Sequence, residues 1–170
     1  MNALFRLLDA LVKTIIKPLI AIIGFLLAFL IVAGVVSRSL LSQPLFGVEE
    51  IVLISVMWFY MLGAVLASKD RTHLTADFLP MMTDSVLALK ISKLAASLLS
   101  LLIAGVFVVW SFDLATWSIE RQQTTPVFGL PWALSQCSPF VCASLMAIYA
   151  VRDVVADLIS LQNLSEQEVT

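Results

Sequence analysis

Charged residues along this chain fall in clusters, and four stretches between the clusters carry none. Leu19 to Val36, Ile51 to Ser68, Leu94 to Phe112 and Trp132 to Val151 each lack Asp, Glu, Lys and Arg. Each is about 18–20 residues long, which at ~1.5 Å per residue crosses roughly 30 Å of hydrocarbon. The pattern predicts four transmembrane helices, at 19–37, 50–68, 91–113 and 132–152. Regular polar–apolar alternation is absent, which argues against a β-barrel. The expected fold class is an all-α integral membrane protein: four tilted transmembrane helices plus amphipathic interfacial segments.

The flanks add detail. In residues 1–17, Asn2, Arg6, Asp9, Lys13 and Lys17 form a polar stripe at helical spacing and leucines and isoleucines cover the rest. This predicts an interfacial helix joined to the membrane domain, 18–157, at Pro18. The third span meets no Pro, and no Gly except Gly105, between Asp84 and Pro126. It is therefore expected to run on to about residue 122, well beyond the ~20 residues a bilayer needs. Pro139 should kink the fourth span and free a carbonyl one turn back. The segment "HLTADFLPMM" (His73 to Met82) is too short to span and suits a membrane surface. Residues 158–170 read as a polar tail.

Composition agrees: 61% of residues are hydrophobic and 13% charged, against roughly 25% charged in soluble domains. The net charge of −2 gives no reason to expect nucleic acid. Lys and Arg set the orientation. Arg6, Lys13, Lys17, Lys69, Arg71, Lys90, Lys93 and Arg152 fall on one side, and only Arg38 and Arg121 on the other. Both termini are thus expected in the cytoplasm. No A-x-A site follows Val36, so the first helix is expected to be retained.

Candidate chemistry is sparse. No acidic or basic residue lies inside the charge-free windows, whereas substrate and proton pathways usually carry such groups near the midplane. The chain is a poor candidate for carrying a substrate by itself, and no enzyme site is visible. His73 is the sole histidine. Asp70 and Asp77 flank it at helical spacing, which allows a weak ion site, the plain alternative being a surface turn. Cys137 and Cys142 are five apart, neither a redox pair nor a zinc pattern, and read as small apolar filler.

What remains are contact residues. Arg38 and the pair Glu49–Glu50 stand at the two roots of one outer hairpin, where a salt bridge is natural and two carboxylates suit a helix N-terminus. One acid should pair inward with Arg38 while the other faces a partner or water. Trp58 and Tyr60 lie deep in the second span, where an indole N–H and a phenol need partners. Small residues recur at four-residue spacing, Gly24 with Ala28, Gly63 with Ala67 and Ala143 with Ala147 among them, as close helix packing in lipid requires.

Taken in order, these features resemble the small membrane subunit, DctQ-like, of tripartite ATP-independent periplasmic (TRAP) transporters. The matching segments are "SRSLL" (Ser37 to Leu41), "GVEEIVLISVMWFYMLGAVLASKDRTHLTADFL" (Gly47 to Leu79) and "TTPVFGLPWAL" (Thr124 to Leu134). The resemblance spans about Ile20 to Asp157. It draws His73 with Asp77, and Pro131 with Trp132, into the set of structural or interface positions beside Arg38, Glu49, Glu50, Trp58, Tyr60 and Gly63. It implies a multi-pass protein of the bacterial inner membrane. It also implies a non-catalytic scaffold for a large DctM-like membrane subunit, helping a periplasmic DctP-like binding protein to dock. The complex would import an organic acid, usually a carboxylate, on a sodium gradient. Sodium would be handled by the large subunit, so no cofactor, metal or substrate site is implied here; membrane lipids are the remaining companions, with bound lipid allowed for. The aromatic that commonly follows the arginine is missing from "SRSLLSQPLFG". The alternatives are a small homodimeric four-helix exporter, for which Glu49 and Glu50 are too shallow, and a membrane anchor subunit of another complex, for which a lone His73 offers no haem ligation.

Overall fold

The computed structural model describes residues 9–10, 12–40, 45–70 and 86–167. Four long helices fill them: α1 (Lys17–Leu40), α2 (Val48–Lys69), α3 (Val86–Arg121) and α4 (Ala133–Gln167). All four contain segments long and apolar enough to cross a membrane. Among the described residues the only β pairing is an isolated bridge between Thr124 and Pro131.

A five-residue π turn, Val12–Ile16, feeds directly into α1. Pro18 is the reason for a widened turn at this point: it has no N–H, and its ring crowds the carbonyl four residues back. The join at Pro18 is thus a loosened turn in a continuous apolar stretch, Val12–Leu40, and not a break. Residues 1–8 and 11 of the expected interfacial helix lie outside the described residues.

At 36 and 35 residues, α3 and α4 are about 50 Å long, well beyond the roughly 30 Å of a bilayer core. No Gly or Pro follows Pro139, and the segment read as a polar tail is helical as far as Gln167. Two bonds hold this extension to α3: Lys90 Nζ donates to the Ser160 carbonyl at 2.7 Å, and the Ser97 hydroxyl donates to Asp157. At Pro139 the carbonyl left without its amide partner is that of Ser135. The buried Ser138 hydroxyl takes it at 2.8 Å, so the fold repairs its own defect.

The helices stand in the order α1, α2, α4, α3, each packed on its neighbours in that row. The result is a wall one helix thick, not a closed bundle. Burial follows position: 39% of the apolar window of α4 is buried, against 6% for α1 and 11% for each of α2 and α3. The core, formed by Val12, Leu62, Val65, Cys142 and Tyr149, sits where the π turn, α2 and α4 meet. Large apolar side chains stand exposed along the row, such as Phe25 and Phe29 on α1 and Leu102 and Trp110 on α3.

Candidate functional site

One end of the wall carries the α1–α2 turn and the α3–α4 connection; we call it the loop end. Gly47 caps α2 there with φ 87°, a left-handed conformation that glycine adopts without penalty. It needs a glycine for space as well, because a Cβ would overlap the Phe128 ring. Two acids follow in the first helical turn, and their surroundings diverge. Glu49 accepts from Arg38 Nη2 at 3.0 Å in an open ion pair, with the two side chains 82% and 71% exposed. Glu50 is only 7% exposed. Its carboxylate accepts the successive backbone N–H groups of Val127 at 2.7 Å and Phe128 at 3.0 Å, and the Thr125 hydroxyl joins them.

The loop that presents these donors is tightly closed. The amide of Thr125 donates to the Leu130 carbonyl at 2.8 Å, Gly129 to Thr125 at 3.1 Å and Trp132 to Gln123 at 2.9 Å. Gly129 supplies a positive φ of 63°. The Leu130 amide donates to the Thr125 hydroxyl at 3.0 Å, so this side chain accepts from its own loop and donates to Glu50. Pro131 and Trp132 then start α4 by offering their carbonyls to Leu134 and to Ser135 and Gln136. Glu50 therefore clasps a loop nearly eighty residues away, while its neighbour faces outward with Arg38. The acid paired with Arg38 is the exposed one, and the other faces neither a partner nor water but the chain's own backbone.

The remaining positions separate clearly. Trp58 Nε1 donates to the Leu134 carbonyl at 2.9 Å, so its indole joins α2 to the first turn of α4. Tyr60 points away from the wall, 66% exposed, its ring edge-on to Phe59 at 5.8 Å. A Cβ at Gly63 would meet nothing within 4 Å, whereas at Gly24 it would lie 2.9 Å from the Phe59 ring. Close backbone approach within the chain is thus at Gly24, and Gly63 opens onto free space. Ala143 is fully buried. His73 and Asp77 lie outside the described residues, and among those described no group of His, Cys, Asp or Glu is placed to hold a metal.

The opposite end, which carries the C-terminal part of α4, holds a polar knot that no motif or spacing announces. Arg152 pairs with Asp153 at 2.9 Å, donates to the Lys69 carbonyl at 3.0 Å, and lies 4.8 Å from the centroid of the Tyr149 ring. The Tyr149 hydroxyl donates to Asp9 at 3.3 Å. One cation thereby joins the start of the chain, the end of α2 and the middle of α4.

Comparison with curated proteins returned no match. A family model, that of the DctQ component of tripartite ATP-independent periplasmic transporters, matches residues 27–159. That range takes in all of α2 and α3, the Glu50 clasp and, apart from Asp9, the Arg152 knot. The chain belongs to the DctQ family, the small membrane component of TRAP transporters.

Proposed function

We propose that this chain is the non-catalytic scaffold of its transporter. It fixes a large DctM-like subunit in the membrane and helps a periplasmic binding protein to dock for sodium-driven uptake of an organic acid. The observation that carries the reading is the single-layer row of helices. A row one helix thick encloses no pathway among the described residues, and many large apolar side chains along it stand exposed. In lipid, such a surface gains most from packing against another protein. The open positions Gly63 and Tyr60 suit that contact, while the Arg152 knot and the Trp58 bond keep the wall rigid from within.

In this reading the loop end faces the periplasm and both termini face the cytoplasm, as eight Lys and Arg on one side against two on the other favour. The Glu50 clasp then shapes the outer surface available to the binding protein. The test is co-purification and reconstitution. The chain should copurify with the large subunit, and uptake in liposomes should need both together with the binding protein. Sodium-dependent uptake by this chain alone would overturn the proposal.

A further inference from the structure

A groove of about 510 Å³ opens between α1 and α2 on the surface of the wall. Its walls include Leu30, Val35, Val52 and Leu53, and its polar rim is Arg38 and Glu49 at the loop end. Gly34 leaves its floor hollow, since a Cβ there would meet nothing within 4 Å. From Leu30 to Ser39 the groove runs nine residues along α1, or about 14 Å, close to half of the roughly 30 Å hydrocarbon core. Its polarity changes once, from apolar depth to charged mouth, as in one leaflet of a bilayer.

The mouth is charged in both signs and only partly used. Arg38 spends one nitrogen on Glu49, and Glu49 one oxygen on Arg38. A guanidinium has five N–H donors in a fork suited to phosphate, and a carboxylate has a second oxygen for a further donor. A headgroup carrying a phosphate and a primary ammonium a few bonds apart complements both. We propose that this groove binds one zwitterionic aminophospholipid, with its phosphate on Arg38, its ammonium on Glu49 and an acyl chain over Gly34. The transport role is not needed for this inference; the membrane orientation decides only which leaflet supplies the lipid.

The test is native mass spectrometry of the full chain released from detergent with equimolar dioleoyl phosphatidylethanolamine and dioleoyl phosphatidylglycerol. The wild-type chain should retain the ethanolamine lipid in about tenfold excess, the scale of one charge-assisted hydrogen bond. Glu49→Gln should bring the ratio near parity, while Arg38→Ala, which removes the phosphate contact common to both lipids, should cut retention of both. Gly34→Leu should remove both lipids, while Gly105→Leu, a glycine on α3 with equal free space, should change neither. Soluble phosphoethanolamine should not compete, since it has no acyl chain to fill the groove. Parity in the wild-type chain, or equal retention by the two leucine variants, would overturn the proposal. So would loss of the lipid when the large subunit is bound, because a protein helix would then own the groove.

Discussion

Glu49 and Glu50 are adjacent in sequence and belong to the same helical turn, yet they serve different ends of the energy scale. Glu49 meets Arg38 in the open, where Coulomb attraction is weak, screened by salt and opposed by side-chain entropy. Glu50 is withdrawn from solvent and holds two backbone N–H groups and a hydroxyl. Hydrogen bonds to a charged group are the strong ones, and losing the acceptor would strand its donors. A one-residue step turns the side chain through about 100° around the helix, and that rotation decides which acid is structural.

The comparison can be broken in order of effect. Glu50→Ala should cost the most. We expect the apparent Tm in detergent to fall by about 5 °C or more, with faster proteolysis at Val127 and Phe128. Glu50→Gln, which keeps one acceptor oxygen, should lie between it and the wild type. If Glu50→Ala behaved like Glu49→Ala, the clasp would not be the stronger feature. Gly47→Ala attacks the same region without touching either acid. It should cost roughly 1–2 kcal/mol in backbone strain, and more if Phe128 is forced from its seat. Glu49→Ala should lower stability by no more than about 1 kcal/mol, and that small difference should vanish in high salt; a large loss insensitive to salt would contradict the assignment. The smallest change lies at the end of α3, where Gln122 occupies φ 47°. Gln122→Gly should raise stability by about 0.5 kcal/mol, read as a slightly higher Tm, because relief of the left-handed conformation is partly offset by the freer unfolded chain.

The helices were legible because charge is intolerable in hydrocarbon, and the charge-free windows coincide with the apolar parts of α1 to α4. The order of the helices in space was not. In a soluble protein the apolar stripe marks the buried face, but here exposed Phe25 and buried Leu62 are equally apolar. The carboxylate pair announced a helix start and a bond to Arg38, yet nothing in "TTPVFGLPW" names Glu50 as its partner. The donors at Val127 and Phe128 are backbone amides, which every sequence has. The same holds for Trp58, whose acceptor is a carbonyl. The Pro and Gly of that loop suit a turn, but a turn's destination is a tertiary fact. The Arg152 knot was hidden because Asp9, Lys69 and Arg152 are dispersed along the chain.

The row of helices also implies an order of assembly. α1 and α2 are chain neighbours in contact, and so are α3 and α4, so each pair can form as its second helix enters the bilayer. Among the described residues the pairs meet mainly along the α2–α4 seam, with the chain's start against Tyr149 beside it, and both contacts must wait for the last helix. The indole bond of Trp58, the Glu50 clasp and the Arg152–Lys69 bond all cross between the two pairs. Two fragments divided between Asp70 and Val86 and made in the same cell are therefore expected to find each other through that seam and copurify. The chain's late history in the membrane is concentrated in those few hydrogen bonds.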